Sequence, residues 1–444
     1  MRRIAVIVIA AVIIVSVIGI FAWRTFDPGP FAFAGGSTVA LADYREANPT
    51  GVPAGLAQAD IVKRGEYLAK AADCMVCHTA PGGAAFAGGL PFPAPSGTLY
   101  STNITPDKDT GIGNYSDQDF LNAMQRGIRK DGARLYPAMP YTSYTFMTDA
   151  DELAIKAYLF SLPAVHRPNQ DDTLQFPYNQ RWSMMFWSWI FNPNTRFTPN
   201  VAKSGEWNRG AYFAEALAHC GECHTPRNPA FGLDNRRKFA GAAYGWLAYN
   251  ITPDRGAGIG SWSDDEVFAY LTKGHATGRG TASGPMGEVV DHSLSLMDPA
   301  DIRALVAYLR SIPAVVSSEP ATIAPPAPAS PKEGGGIADT LGRNVFAQAC
   351  VSCHSWTGLS ALSPFATISG SRAVNDPSAT NVAQIVISGT RRLTPDAISM
   401  PAFGSTYSDT EIAAVANYVT GRFGIAASKL TAKDVAQLRD QTAR

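Results

Sequence analysis

The chain has 444 residues, enough for about three domains of ordinary size. Lysine plus arginine equals aspartate plus glutamate at 37 each, so no basic surplus exists to hold nucleic acid. Charged residues make up 17%, below the roughly 25% usual for soluble domains, which suits a surface spent on partners or lipid.

The N-terminus opens with Arg2 and Arg3 and continues as an apolar run over residues 4–22, broken only by Ser16 and Gly19. A helix of that length is about 28 Å long, close to a bilayer core of ~30 Å. Trp23 and Phe26 follow as interfacial aromatics, with Arg24 between them. The pattern predicts a retained transmembrane anchor over 1–26 with its two arginines on the cytoplasmic side. The expected location is the bacterial cytoplasmic (inner) membrane, held by a single pass, with the body facing the periplasm. The rival is a cleaved signal peptide, with Ala32-Phe33-Ala34 as cleavage candidate. Its apolar region would run about 7–15 residues, shorter than this one.

Three Cys-x-x-Cys-His motifs follow: Cys74 to His78, Cys220 to His224 and Cys350 to His354. Each is a haem c attachment signature. The thiols of Cys74, Cys77, Cys220, Cys223, Cys350 and Cys353 add to the porphyrin vinyl groups, and His78, His224 and His354 become proximal iron ligands. The chain contains six cysteines, all within these motifs. None remains for a disulfide. A zinc site would want a second ligand pair close by, and a redox dithiol a βαβ context; neither is present.

The first two motifs lie in copies of one unit. Arg64-Gly65-Glu66-Tyr67 matches Arg209-Gly210-Ala211-Tyr212, and Asn103-Ile104-Thr105-Pro106-Asp107 matches Asn250-Ile251-Thr252-Pro253-Asp254. Leu162-Pro163-Ala164-Val165 matches Ile312-Pro313-Ala314-Val315. The third unit keeps Gly342-Arg343 ahead of its motif and lacks the Asn-Ile-Thr-Pro-Asp loop. The predicted divisions are a first unit at 57–166, an aromatic-rich connector at 167–204, a second unit at 205–316, a Pro/Ala/Gly linker at 317–336, a third unit at 337–425 and a tail at 426–444.

Helix starts are marked by Ser116-x-x-Asp119, Ser263-x-x-Glu266, Thr148-x-x-Asp151, Asp298-Pro299-x-Asp301 and Ser408-x-x-Glu411. Gly65, Gly210 and Gly342 permit close helix approach, and Tyr158, Tyr308 and Tyr418 stand in the last helices. Each unit's first helix should therefore cross its last. Strand signals are sparse, so the expected fold is all-α.

The sixth iron ligand separates a carrier from an enzyme, because a closed iron has no place for substrate. Three methionines sit in Pro-flanked or Gly-Pro loops: Met139, Met286 and Met400. Met139 and Met286 follow their proximal histidines by 61 and 62 residues, and Met400 follows His354 by 46. These three are the expected axial ligands. Met147 and Met297 occupy matching places before the last helices and suit packing. His275 or His292 could replace Met286. His219 adjoins the second motif and is expected at the haem edge. Asn103, Thr105, Asn250 and Thr252 suit either propionate hydrogen bonds or an ordinary turn. Trp182, Trp187 and Trp189 with Phe186 and Phe191 suit packing between units or docking on a bilayer near a quinone entry point. No catalytic residue is proposed.

With these motifs, and with Gly127-Ile128-Arg129-Lys130-Asp131-Gly132 and Tyr136-Pro137-Ala138-Met139-Pro140-Tyr141, the chain resembles the three-haem cytochrome c subunits of bacterial membrane-bound periplasmic dehydrogenases. The resemblance spans residues 57 to 425. It implies three tandem cytochrome c-type domains, here behind an N-terminal transmembrane helix, with three covalently bound haem c. It implies a large catalytic dehydrogenase subunit as partner and ubiquinone as electron acceptor at the cytoplasmic membrane. The N-terminal run favours the cytochrome of molybdopterin and iron–sulfur aldehyde dehydrogenases. Pyrroloquinoline quinone alcohol dehydrogenase and flavin gluconate or sugar dehydrogenase are the alternatives within the family. Outside it stand a terminal-oxidase cytochrome subunit and a self-contained haem enzyme, which would need a five-coordinate iron.

Overall fold

The computed structural model describes residues 28–94, 96–243, 245–316, 337–393 and 398–442, with Gly19 alone ahead of them. The anchor expected at 1–26 and the linker expected at 317–336 fall outside the described residues, Gly19 excepted. Among the described residues no helix is long and apolar enough to cross a membrane. The longest, Asp409–Phe423 with 15 residues, reaches only about 22 Å and carries Asp409, Glu411 and Arg422. The expected transmembrane helix is thus not supported, and the single-pass placement in the cytoplasmic membrane falls with it. An apolar run sets the length a helix could have; it does not establish a span.

The first unit holds helices α1 (Ile61–Ala71), α2 (Asp117–Arg126) and α3 (Asp149–Ser161), and the connector holds α4 (Met184–Phe191). The second unit has α5 (Gly205–Tyr212), α6 (Asp264–Lys273), α7 (Gly284–His292) and α8 (Pro299–Ser311). The third has α9 (Ile337–Val345), α10 (Thr380–Ser388), α11 (Asp409–Phe423) and α12 (Ala432–Thr442). The caps fall where the sequence puts them. Ser116, Ser263 and Ser408 close full capping boxes with Asp119, Glu266 and Glu411. Thr148 accepts the Asp151 N–H, and Asp298 accepts that of Ala300.

The fold is not all-α. Among the described residues three antiparallel hairpins lie in the loops: β1 (Pro91–Ala94) with β2 (Gly97–Tyr100), β3 (Ala242–Ala243) with β4 (Leu247–Ala248), and β5 (His275–Ala276) with β6 (Gly280–Thr281). They are too short to print an alternating pattern. Two-stranded ribbons consist only of edges, which is why Pro91 and Pro93 are tolerated in one of them.

Each unit is built on one crossing. In α1 a Cβ added to Gly65 would lie 1.8 Å from the Ala154 carbonyl oxygen of α3. The corresponding distances are 1.9 Å from Gly210 to Ala304 and 2.2 Å from Gly342 to Ala414. The β-carbons of Tyr158, Tyr308 and Tyr418 sit beside those glycines. Only glycine lets the two backbones meet this closely.

Units one and two share one hydrophobic core, which includes Leu68, Ile155, Phe213, Leu217, Ile302 and Tyr308; the third unit has its own around Phe346, Ile412 and Val415. A reciprocal pair of buried contacts joins the first two. Tyr67 of α1 donates to Asp301 of α8 at 2.5 Å, and Tyr212 of α5 donates to Asp151 of α3 at 2.5 Å. The stretch ahead of α1 packs across this junction. Phe31 meets Phe146 and Phe197 edge-on, and Arg209 donates to the carbonyls of Pro49 and Gly51. Beyond residue 425, α12 packs on α10 and α11 and buries Val435 in the third core.

Candidate haem sites

Each Cys-x-x-Cys-His motif forms a short helical turn: Cys74–His78, Gly221–His224 and Val351–His354. On a helical turn residues three apart share a face, which is the spacing of the two cysteines in each motif. The residue before the first cysteine is left-handed in units one and two, at Asp73 (φ 54°) and His219 (φ 36°). The helix widens into a π-turn ahead of the second motif, Phe213–Leu217, and into the start of the third, Phe346–Cys350. None of the six cysteines is in a disulfide. Burial pushes Cys74 and Cys220 up to about 12 and Cys350 up to about 11. These are protonated thiols, unsuited as free nucleophiles.

The three histidines are held alike. Nδ1 of His78 donates to the Thr102 carbonyl at 2.7 Å, that of His224 to Tyr249 at 2.6 Å and that of His354 to Ala366 at 2.6 Å. A carbonyl can only accept, so Nδ1 carries the proton and Nε2 keeps its lone pair. Burial lowers all three pKa values and favours the neutral ring. A neutral imidazole oriented through Nδ1 and presenting Nε2 is what a haem iron requires. The residues therefore fit the group: two cysteines at helical spacing, followed by an oriented imidazole.

Met286, expected in a loop, lies in α7; it and Met139 are half-buried against the shared core, and Met400 is half-buried against the third. Met147 and Met297 are buried in the shared core. His275 faces the Phe365 ring and bonds Thr281 through Nδ1; His292 pairs with Glu288. Asn103 and Asn250 are committed to the backbone. Asn250 Oδ1 accepts the Thr252 N–H and hydroxyl, its Nδ2 donates to the Val315 carbonyl, and the Thr252 hydroxyl accepts the Val315 N–H. Asn103, Thr105 and Val165 repeat this arrangement. Each loop is thereby tied to the exit of the unit's last helix, which supports the turn reading.

Sequence reasoning missed how the first two sites support each other. The turn Tyr141–Tyr144, just after Met139, packs against Phe213–Leu217 ahead of the second motif. Thr142 and Ser143 donate to Glu222, inside the second motif, at 2.8 and 2.9 Å. The Tyr144 hydroxyl donates to the Ala72 carbonyl, and its ring meets His219 edge-on. In return α7, which carries Met286, packs against the Cys74–His78 turn. Burial opposes the charge on Glu222, but Arg227 and the two hydroxyls outweigh it and hold the carboxyl below its ordinary value. Glu222 at the x position was the one available signal, since a carboxylate beside a buried motif needs partners.

The connector helix α4 bridges the same two units. Trp187 stacks edge-on against Tyr141 and donates to the Ala230 carbonyl at 2.7 Å, and Phe191 lies over Gly232. Trp182, Phe186 and Trp189 face outward. The aromatic segment packs between units with one face and leaves the other exposed.

The "Cytochrome c" family model matches residues 62–163, and the "Cytochrome C oxidase, cbb3-type, subunit III" model matches residues 338–419. The chain is 40% identical to the gluconate 2-dehydrogenase cytochrome c subunit of Pantoea cypripedii, over 86% of this chain and 90% of that one. It is 37% identical to the fructose dehydrogenase cytochrome subunit of Gluconobacter japonicus, over 88% and 85%. It is 34% identical to the cytochrome c subunit of the quinone alcohol dehydrogenase of Komagataeibacter europaeus, over 86% and 85%.

Proposed function

This chain belongs to the cytochrome c subunits of dehydrogenase complexes and serves them in electron transfer; from that premise we propose that it binds three haem c groups, one at each motif. When bound, haem c supplies one-electron redox chemistry. Cys74 and Cys77, Cys220 and Cys223, and Cys350 and Cys353 tether it through thioethers. His78, His224 and His354 would each offer iron a nitrogen, and Met139, Met286 and Met400 a sulfur. The observation that carries this reading is the common tautomer of the three imidazoles, each fixed by a backbone carbonyl through Nδ1. The chain's remaining work is to hold these ligands, exclude water and keep the first two sites within one core.

The proposed donor is the catalytic subunit of a sugar or sugar-acid dehydrogenase, and the proposed acceptor is ubiquinone. The named substrates of the gluconate and fructose relatives support that donor. The preference for a molybdopterin aldehyde dehydrogenase rested on the N-terminal run, which lies outside the described residues. The match of residues 338–419 to an oxidase subunit family covers one unit, whereas the dehydrogenase relatives cover most of the chain. Affinity purification of the full chain should bring down a large subunit that oxidises gluconate or fructose. A molybdopterin or pyrroloquinoline quinone subunit in its place refutes the sugar-acid donor. With no oxidase present, a ubiquinone analogue should reoxidise the reduced chain; failure to do so refutes the acceptor.

A further inference from the structure

The third unit is fastened to the second by an ion pair that solvent barely reaches. Arg392 and Asp291 have side chains only 1% and 2% exposed. Arg392 Nη2 donates to Asp291 Oδ1 at 2.7 Å, and Nε reaches both oxygens at 3.2 and 3.1 Å. The Leu393 N–H donates to Oδ2 at 2.9 Å. The remaining guanidinium nitrogen, Nη1, donates to the Ala282 carbonyl at 3.0 Å and approaches that of Gly274 at 3.5 Å. This one side chain therefore grips the second unit on both sides of Met286: at 274 and 282 before it, and at 291 after it.

Glycine makes room for it. Gly274 has φ +70°, and a Cβ there would lie 2.1 Å from Arg392 Nη2. The first unit has the same niche at Gly127 (φ +60°), filled by the ring of its own Tyr141. At this niche the Met139 loop is braced by its own unit, and the Met286 segment by the third. On the Arg392 side the brace runs to Met400. Thr390 and Met400 exchange both backbone hydrogen bonds at 2.9 Å, two residues from Arg392. A Cβ on Gly389 would meet the Met400 carbonyl oxygen at 2.5 Å.

We propose that Arg392 and Asp291 are positioning residues that set Met286 and Met400 together, so that the sixth ligands of the second and third haems share one strut while Met139 does not. The inference rests on the reading of these methionines as iron ligands. A buried pair with every partner supplied adds little stability over apolar packing; its best-attested use is to fix register. Lysine cannot replace the arginine, because it lacks the fork that serves Asp291 and Ala282 at once.

The test uses the full chain with its haems in place. Met139→Ala, Met286→Ala and Met400→Ala provide references, each removing one share of the ferric sulfur-to-iron charge-transfer band. If Met286→Ala and Met400→Ala leave that band whole, the ligand reading fails, whatever the strut does. Asp291→Asn and Arg392→Leu are then titrated with imidazole. Both variants should weaken the Met286 and Met400 shares together, with imidazole binding about tenfold tighter at two haems and unchanged at the Met139 haem. A change confined to the variant's own unit, or none, overturns the proposal. If either variant loses all three shares, Arg392→Lys, which keeps the charge and most of the volume, decides. Parallel tightening at the same two haems supports the strut, and an unchanged Met286 haem overturns it.

Discussion

Replacing Gly65 with alanine tests the crossing on which the first unit is built. The new methyl would start 1.8 Å from the Ala154 carbonyl oxygen, whereas ordinary contact begins near 3.4 Å. The obstacle is helical backbone, so α1 and α3 must separate by about 1.5 Å. That loosens the core around Leu68 and Ile155, both essentially inaccessible to solvent. Forced overpacking costs about 1–3 kcal/mol, and a rigid partner places this case at the upper end. Gly210→Ala should cost as much, since its methyl would start 1.9 Å from Ala304, and Gly342→Ala slightly less. Gly55→Ala is the control: nothing lies within 4 Å of it, and the change should stay within about 0.5 kcal/mol. Guanidinium unfolding of the full chain, followed by haem absorbance and circular dichroism, reads the effect. Two cores mean two transitions. Gly65→Ala and Gly210→Ala should move one of them, and Gly342→Ala the other. If Gly65→Ala unfolds where Gly55→Ala does, or if all three move a single transition, the account of the crossings and cores is wrong.

Other changes separate support from ligation. Tyr212→Phe should cost about 1.5–3 kcal/mol and Tyr67→Phe about 1 kcal/mol. Asp301 keeps Arg209 when Tyr67 is lost, while Asp151 keeps, among the described residues, the Gly51 N–H; the guanidinium midpoint reads both. Asn250→Ala should cost about 1–3 kcal/mol, measured in the same way, and leave every haem absorption band in place, because its carboxamide holds backbone. Glu152 gives a pH signature. Burial pushes its carboxyl up to about 9, against the hydrogen bond from Gln125, so the folded state keeps a proton that the unfolded chain loses near ~4.3. Stability should fall as pH climbs from about 4.5 to about 9. Glu152→Gln should remove that slope and gain on the order of 1–3 kcal/mol at pH 7, seen by comparing urea midpoints at acid and alkaline pH.

The caps at Ser116, Ser263 and Ser408 and the glycine crossings were legible because each is local or repeats. A capping box spans four residues, and a glycine recurring at one place in three units marks a close approach. What remained hidden was long-range or short. Tyr67 meets Asp301 across 234 residues, and no periodicity encodes that partner. Arg392 resembles any loop arginine until the niche above Gly274 is known. The hairpins at Ala242–Ala243 and His275–Ala276 have two residues per strand, too few for alternation. The helix Ala432–Thr442 is charged on most faces and packs through Val435 and Leu438, a stripe too narrow to stand out. The apolar N-terminal run misled in the opposite direction, since its length alone suggested a span.

The most direct measurement is the haem content of the purified full chain by its alkaline pyridine spectrum, taken alongside the sulfur-to-iron band of the oxidised protein. The account predicts three haems per polypeptide and a band that falls by one share in each of Met139→Ala, Met286→Ala and Met400→Ala. Two haems or fewer, or a band indifferent to all three substitutions, contradicts it.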